Sequence, residues 1–428
     1  MFQSPAFTRI LTAAALLGAA SRTSEAKGLE VHEWGTFTTL SSSDGRPLGG
    51  LYVDASRLPA FVEGVPFFNY DAAAGWAPLS KLRNVTVKME TPVLYFYSPV
   101  GVDVDVKVGF HGGSISQWYP RCYACETNPS GAFVDFAGKP YEGHIAWKAR
   151  VLPPDSQPAY STTGSGLETG EWIAPRMVAS NMLRGEGGEY ERFLFYRGIG
   201  NFPNTVKMAF LDDTTFTVTN EGDEDIPWMM VYDRDFGNSM PPAAVHYYGP
   251  LKARRSLTLR RGPFPQYYGS ESTAPMDSLL AQLQIAGLKR DEALALQQTW
   301  YNGYFVEAGM KAFWILPRAM VDRILPLEIT PRPEALVRVI VGRSEILPPP
   351  FERELRKARD ADSLSRYAND KYRLAYQEFL SPGREAGGTS LRPRPPLRAA
   401  ANPSAPGPSP RFRWIASSPR DALGRFSP

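Results

Sequence analysis

The 428-residue chain contains few of the side chains that most often form metal centres, with two cysteines and four histidines. Two cysteines cannot complete a zinc site of four cysteine ligands. A catalytic zinc with three histidine ligands would need three of the four histidines, and no His-x-His spacing brings any two of them together. We therefore expect no metal ion and no other cofactor.

Long apolar runs are also missing after residue 26. No stretch in that part of the sequence approaches the roughly 18 apolar residues of a transmembrane helix. Residues 1–26 have the pattern of a secretory signal peptide. Arg9 is followed by the apolar run Ile10–Ala20 and then by small residues that permit cleavage after Ala20 or after Ala26. The alternative is an uncleaved interfacial anchor. We expect an exported, periplasmic or extracellular protein with no transmembrane segment in the mature chain.

The chain also lacks an excess of charge of one sign, because its 47 basic and 44 acidic residues give a formal net charge of only +3. Residues 381–428 contain eight arginines, two acidic residues and ten of the 39 prolines, so the rest of the chain is mildly acidic. Such a segment cannot bury enough apolar surface to fold, which predicts a disordered Pro/Arg-rich tail. The tail either attracts acidic polymers or has no partner, and its few aromatic residues do not indicate specific nucleic-acid binding.

Proline and glycine are frequent, at 39 and 37 residues, and argue against a helical bundle because an interior proline costs a helix about 3 kcal/mol. Residues 27–265 contain short β-forming runs between turn signals, which predicts an antiparallel β-sandwich-like region, as two packed sheets or two subdomains. Val102–Phe110 alternates strictly between apolar and polar residues, whereas Val93–Tyr97 is apolar on both faces, as in a central strand. We expect residues 85–97 and 102–110 to form a hairpin.

The hydrophobic period changes from about residue 274 onward. Apolar residues recur at helical spacing, which predicts a helical hairpin, and a strand-like run follows at Leu336–Val341. Together these make a module over residues 274–348. Residues 350–380 are predicted to form a long, highly charged helix.

The two cysteines, Cys122 and Cys125, lie in a Pro/Gly-rich context that favours a loop. In an exported protein the expected arrangement is a small disulfide that tightens this loop. A redox pair and half of a zinc site are the alternatives.

Glu33 and Glu90 are the candidate catalytic carboxylates. Glu33 lies in a His-Glu string that lacks the second histidine of a zincin signature. Glu90 lies where a half-exposed strand becomes apolar on both faces, just before a Thr-Pro pair, which predicts partial burial. Two carboxylates across a cleft are the usual apparatus of glycoside hydrolysis. The alternative for Glu90 is a carboxylate bonded to a cation or to backbone amides at a strand bend.

His111 is a third catalytic candidate, because His-Gly-Gly-Ser weakly resembles an oxyanion loop. No Gly-x-Ser-x-Gly, dinucleotide or phosphate-loop motif accompanies it. Trp118, Trp147 and Trp172 lie in or beside Pro/Gly-rich segments. Loop tryptophans offer flat platforms to sugar rings or partner chains, so these three are the predicted ligand-binding residues. The alternative is that they are core residues.

Four strings carry a resemblance to a known family: Val31–Phe37 (VHEWGTF), Lys88–Tyr97 (KMETPVLYFY), Phe193–Gly198 (FLFYRG) and Val337–Arg343 (VRVIVGR). Together they resemble an uncharacterised family of exported bacterial proteins, over roughly residues 30–348. The resemblance implies export and a bacterial source, and it implies no activity, cofactor or catalytic residue. The cysteine pair and the tail lie outside the family's pattern.

The leading hypothesis is therefore a ligand-binding protein whose partner is a glycan or an envelope protein. The first alternative is a hydrolase of polysaccharide or peptidoglycan that uses paired carboxylates. The second is a structural component of the cell envelope. Neither the ligand nor the oligomeric state follows from the sequence.

Overall fold

A computed structural model describes residues 25–49, 51, 58–64, 85–125, 142–160, 170–234, 243–261, 267–268 and 273–357. Most of the predicted signal peptide, the predicted helix beyond residue 357 and the predicted tail lie outside these residues.

The described chain is mainly β. Its strands are β1 Glu25–Ser41, β2 Glu63–Gly64, β3 Val87–Tyr97, β4 Val102–His111, β5 Gly113–Tyr119, β6 Ala124–Cys125, β7 Glu142–Val151, β8 Leu183–Gly185, β9 Tyr190–Glu191, β10 Phe193–Gly200, β11 Val206–Phe210, β12 Thr215–Asn220, β13 Ile226–Arg234, β14 Ala243–Leu251, β15 Ser256–Arg260, β16 Tyr267–Tyr268, β17 Gly309–Ile315, β18 Leu327–Thr330 and β19 Arg332–Ile346.

The helices are short. They are α1 Gly170–Arg176, α2 Ala274–Ile285, α3 Arg290–Tyr301, α4 Arg318–Ile324 and α5 Pro349–Lys357, and a π-helix, Asn302–Val306, continues directly from α3. Of the long helix predicted over residues 350–380, the described residues contain α5. No helix in the described ranges is both long and apolar enough to cross a membrane.

One large sheet dominates the fold, with the strand order β16-β14-β13-β17-β19-β1-β3-β10-β5-β7-β4-β18. The four short strands β2, β6, β8 and β9 pair beside this path, and β11-β12-β15 form a separate three-stranded sheet. β17 and β19, which the sequence places in a later module, lie at the centre of the large sheet. β19 pairs in parallel with β1 along almost its whole length.

The four strings of the resemblance lie on four neighbouring strands, in the order β19-β1-β3-β10. Most of their residues are buried, which explains why their apolar residues do not alternate cleanly with polar ones. The centre of the sheet is therefore assembled from segments that lie far apart along the chain.

The predicted hairpin of residues 85–97 with 102–110 is wrong. β3 pairs with β1 and β10 in the middle of the sheet, whereas β4 pairs with β7 and β18 at one edge. The reason lies in their patterns. β3 is buried on both faces and needs a neighbour on each side, while every second side chain of β4 is at least partly exposed, as suits a strand near an edge.

The two faces of the central strands pack against different layers. Trp34 of β1 and Val93 of β3 face a core shared with α1, α2, α3 and the π-helix, which we call the α3 face. Val31, Leu94 and Ile340 face the opposite core, which includes residues of the three-stranded sheet, α4 and α5. Because successive strand residues alternate between faces, the register assigns each polar side chain of the centre to one face.

Candidate functional site

A β-bulge interrupts the pairing of β1 with β3. Trp34 pairs with Val93 and Thr36 with Glu90, so three steps along β3 oppose two along β1. Thr91 lies inside the bulge with a φ of 43°. A positive φ is a genuine outlier for a β-branched residue, and bulges of this kind are common next to functional sites. The bulge also lets Glu90 and Val93 face the same side of the sheet.

Glu90 is a buried carboxylate that is fully partnered. Thr38 Oγ1 of β1 donates a hydrogen bond to it, and Lys88 Nζ lies 2.5 Å from its Oε1. Burial raises the pKa of Glu90, but Lys88 and Arg343 outweigh burial and hold the pKa below its usual value. Glu90 is therefore an ionised carboxylate bonded to a cation at a strand bend, and it is not set up to donate a proton at neutral pH.

Arg343 of β19 lies on the same face and links the sheet to the π-helix. Its Nη2 lies 2.5 Å from Glu345 and 3.2 Å from Glu307. The guanidinium carbon is 5.8 Å from the centre of the Tyr304 ring. The Nε of Arg343 is buried and has no hydrogen-bond partner among the described residues. A Cβ at position 303 would lie 2.6 Å from Nη1, so Gly303 gives the guanidinium its room.

The π-helix holds this arrangement against the sheet. Tyr304 OH and Thr36 Oγ1 share a hydrogen bond of 2.6 Å. The Lys311 ammonium of β17 donates to the carbonyls of Gly303 at 2.9 Å and Glu307 at 2.7 Å. A cation at the carbonyl end of a helix offsets the partial negative charge there. π-Helical turns of this type are frequent at functional sites.

We call the side chains gathered here the Glu90 cluster. They share the α3 face and a direct contact with another member or with the π-helix. The cluster consists of Thr36, Thr38, Lys88, Glu90, Tyr304, Glu307, Lys311, Arg343 and Glu345.

The Glu90 cluster reaches solvent at two points. The Lys88 side chain is 25% exposed and that of Glu307 is 34% exposed, whereas those of Glu90 and Arg343 are 8% and 6% exposed. Each carboxylate of the cluster has a cation within ion-pair distance. The arrangement can therefore accept and donate hydrogen bonds near solvent without carrying a large charge of either sign.

Glu33 belongs to a different cluster on the opposite face. Its Oε1 accepts from Tyr196 OH and its Oε2 from Arg338 Nε, each at 2.5 Å. Arg338 Nη1 also reaches Asp322 of α4, at 2.8 Å. The Glu33 and Arg338 side chains are completely buried. The structure therefore does not bring Glu33 and Glu90 together around one cleft.

His111 is separated from both carboxylates. It ends β4, and the strands β3, β10, β5 and β7 lie between β4 and β1. Its imidazole is 55% exposed, with Nε2 3.4 Å from Glu142 of β7. Among the described residues, no group of three or more His, Cys, Asp or Glu side chains has the geometry to hold a metal ion.

The three predicted ligand-binding tryptophans are core residues. Trp118, Trp147 and Trp172 are 5%, 1% and 1% exposed. Trp118 Nε1 donates to Glu63 at 3.0 Å, and Trp147 Nε1 donates to the Pro120 carbonyl at 2.9 Å. Their position in loop-like sequence did not reveal this, because Trp118 and Trp147 lie on the buried faces of β5 and β7 and Trp172 lies on the buried side of α1. None of the three rings offers a flat face to solvent.

Cys122 and Cys125 form a disulfide, with their Cα atoms 5.9 Å apart. The bond closes a short loop beside the edge of β7, where β6 pairs. It lies away from the central strands that carry the Glu90 cluster.

Sequence reasoning found Glu90 and missed its partners. Thr36, Lys88 and Arg343 each belong to one of the four strings of the resemblance, so the signal was present in the sequence. Nothing local in Val337–Arg343, however, identifies β1 as its neighbour in the sheet. The role of Tyr304 depends on a π-helix, for which the sequence has no recognisable signature.

Comparison with known proteins does not assign a family. No family model matches the chain, and no curated protein matches it. Among solved structures it is similar to a yeast delta-COP-I mu-homology domain, with 5% identity and a TM-score of 0.27 over 75% of this chain and 98% of that chain. The same domain complexed with a Dsl1 WxWxV peptide gives 7% identity and the same TM-score and coverage. Similarity this weak supports no statement about fold or function.

Proposed function

We propose that this chain is an exported ligand-binding protein that binds a neutral, hydroxyl-rich ligand, a glycan, at the Glu90 cluster. The observation that carries the proposal is the ion pair of buried Glu90 with partly exposed Lys88, beside the bulge at Thr91 and on the same face as buried Arg343 with its own carboxylates. Buried charged groups are costly even when paired, and clusters of titratable groups with shifted pKa values are candidate functional sites.

The pairing of charges argues for the class of ligand. An anion would have to compete with Glu90, Glu307 and Glu345 for Lys88 and Arg343, and a cation would have to displace those same partners. A sugar hydroxyl both donates and accepts, so it can bond to an ion pair without breaking it. Charge-assisted hydrogen bonds of this kind are about twice as strong as neutral ones.

The protonation state of Glu90 favours binding over hydrolysis. Glycoside hydrolysis needs a carboxylic acid with a raised pKa and a second carboxylate across the ligand. The pKa of Glu90 is lowered in spite of burial, because Lys88 and Arg343 stabilise the carboxylate. Glu33, the second carboxylate of that hypothesis, faces the opposite side of the sheet.

The exported location is part of the proposal and rests on the signal-peptide pattern and on the resemblance. Of the two cleavage positions, the one after Ala20 fits the fold better. Glu25 and Ala26 pair with Arg332 and Pro333 of β19, and Ala26 packs against the core, so cleavage after Ala26 would remove the start of β1.

Isothermal titration with neutral oligosaccharides (chito-, cello- and malto-series) tests the proposal, with sialylated and aminated oligosaccharides as charged comparisons. We expect a neutral oligosaccharide to bind and Glu90→Gln to weaken it at least about 10-fold, since the amide cannot keep both partners of the carboxylate. Glu328→Gln, an exposed change on the edge strand β18, is the matched control and leaves affinity unchanged.

Three results would contradict the proposal. The first is Glu90→Gln binding as tightly as the wild-type chain. The second is release of reducing ends from the bound oligosaccharide, which would favour the hydrolase. The third is the absence of any oligosaccharide binding together with a stable envelope protein that co-purifies with the chain, which would favour a structural role.

A further inference from the structure

We propose a second site on the α3 face, at which His32 acts as a general base in the hydrolysis of carboxylic esters by water. This activity goes beyond the proposed function, because the site lies apart from the Glu90 cluster. His32, Trp34 and Thr36 take alternate positions of β1, so His32 is about 13 Å from Thr36 along the strand. The side chains that form the His32 site are those of Glu30, His32, Tyr97, Lys289 and Glu292.

Glu292 fixes the orientation of the His32 ring. Its carboxylate is completely buried at the start of α3 and accepts three hydrogen bonds, from His32 Nδ1 at 2.9 Å, from Tyr97 OH at 2.7 Å and from the backbone N–H of Lys289 at 2.7 Å. Because the carboxylate is the acceptor, Nδ1 carries the proton of the neutral ring and Nε2 carries the lone pair. A buried carboxylate in this position also stabilises the imidazolium that forms when Nε2 takes up a proton.

The Nε2 atom of His32 is left available near the surface. In the described part of the chain His32 makes one side-chain hydrogen bond, through Nδ1, and Nε2 is 4.0 Å from Glu30 Oε2, too far for a second one. The His32 side chain is 6% exposed, whereas the side chains of Glu30 and Lys289 beside it are 46% and 40% exposed. Docking of α3 uses only Nδ1, so a structural role leaves the lone pair of Nε2 without a task.

Lys289 brings a positive charge to the same place. Its Nζ is 3.4 Å from the Glu30 oxygen that lies 4.0 Å from His32 Nε2. The ammonium also lies 3.1 Å from the centre of the Tyr97 ring, which meets the His32 ring edge to face. The Glu30 oxygen therefore marks a position that the base and the ammonium both approach. Since Glu30 is half exposed, its carboxylate can turn away and leave that position to the carbonyl oxygen of an ester.

These groups fit hydrolysis by general-base catalysis. His32 Nε2 takes a proton from a water molecule as the water oxygen attacks the ester carbonyl carbon, and the Lys289 ammonium stabilises the oxyanion that forms. The ester C–O bond then breaks, and Nε2 returns the proton to the leaving alcohol, which gives a carboxylic acid and an alcohol. The His32 site offers water as the nucleophile and one cation for the oxyanion. This equipment suits esters, which have better leaving groups than amides.

Steady-state hydrolysis of 4-methylumbelliferyl acetate by the full chain tests the proposal. We expect many turnovers per chain, which distinguishes catalysis from a single acetylation of a lysine. His32→Asn keeps a donor for Glu292 and removes the base, so kcat/KM should fall about 100-fold. His111→Asn changes a more exposed imidazole, on β4, and is the matched control. It should keep kcat/KM within about 2-fold of the wild-type value.

Lys289→Met tests the same site without touching the His32–Glu292 contact. It removes the ammonium and keeps the backbone N–H that caps α3. Because the oxyanion exists only after the attack, kcat should fall about 10-fold and KM should change less than about 2-fold. If His32→Asn does not fold, as judged by its melting temperature, this variant decides, since the Lys289 side chain is partly exposed.

Three outcomes overturn the proposal. They are a wild-type chain that releases at most one acetate, a folded His32→Asn variant with wild-type kcat/KM, and a Lys289→Met variant whose kcat is unchanged. Oligosaccharide binding at the Glu90 cluster is measured separately by titration. The proposed function and this activity therefore fail or stand independently of each other.

Discussion

Glu33 and Glu90 face opposite sides of the same sheet, although their strands are direct neighbours. Glu33 lies on the face of Val31 and Leu94, and Glu90 lies on the face of α3. Each is a buried carboxylate with its own cation, Arg338 of β19 for Glu33 and Lys88 of β3 for Glu90. The centre of the sheet thus carries two separate polar clusters, and the predictions for the two differ.

The cluster on the Glu33 face is predicted to support stability. Arg338→Met leaves the Glu33 carboxylate fully buried without a cation, which should lower the free energy of unfolding by about 3–5 kcal/mol in urea denaturation at pH 7. Adding Glu33→Gln removes the buried negative charge that has lost its cation and keeps an acceptor for Tyr196. The double variant should therefore recover part of the lost free energy of unfolding.

A double variant less stable than Arg338→Met alone would contradict this interpretation. Arg353→Ala serves as the matched control. It breaks an exposed ion pair with Asp213 and should leave unfolding essentially unchanged.

Lys311 is predicted to hold the π-helix in place. Its ammonium is the donor to three carbonyls at the end of that helix, those of Gly303, Tyr304 and Glu307. Lys311→Met keeps most of the apolar side chain and removes all three bonds. We expect hydrogen exchange to become at least about 10-fold faster for the amides of residues 302–307, because local opening then costs less.

The amides of α2, on a different helix, provide the internal control for that measurement. Uniformly faster exchange over the whole chain would mean that Lys311 supports global stability instead. In that case the π-helix would open only when the whole chain unfolds, and the prediction of local opening would be wrong.

The sequence was informative where burial leaves a local pattern. The doubly apolar run Val93–Tyr97 predicted a central strand, and β3 is central. The change of pattern at Glu90 predicted partial burial, and Glu90 is buried. What the sequence could not specify is which strands pair, because Glu33 and Arg338 are 305 positions apart and no local signal joins them. The predicted hairpin of β3 with β4 failed for this reason, since short connections are the default expectation and β1 and β10 occupy both sides of β3.

The N-terminus of the mature chain gives a test of the exported location. If export is followed by cleavage after Ala20, the mature protein retains Glu25 and Ala26, which pair with β19. Mass spectrometry of the protein recovered from the periplasm or medium should then show a chain that begins at Ser21. A chain that begins at Lys27 would show that the first residues of β1 are dispensable, and an intact N-terminus in the cytoplasm would contradict export.

Asp233 is predicted to contribute to the loss of stability at acidic pH. Burial raises the pKa of Asp233, but hydrogen bonds and charge from His246 and Arg261 outweigh it, so the pKa falls below the ordinary value of 3.8. The pKa of Glu90 is likewise below its ordinary 4.5. A carboxyl group whose folded pKa is depressed contributes stability above its unfolded pKa and loses it as pH falls through the folded value. Glu191 acts in the opposite sense, because burial outweighs Arg176 and raises its pKa.

We therefore expect the free energy of unfolding to fall as pH is lowered below about 4.5, and urea denaturation between pH 3 and pH 7 measures this. Asp233→Asn should be less stable than wild type at pH 7, because Arg261 loses its buried counter-charge. Its stability should also change less between pH 5 and pH 3, since one of the depressed carboxyl groups is gone. Asp103→Asn, which changes an exposed carboxylate paired with Arg150, is the control and should leave the free energy of unfolding at pH 7 essentially unchanged. If the stability of Asp233→Asn depends on pH as strongly as that of the wild-type chain, the prediction is wrong and other groups cause the loss of stability at acidic pH.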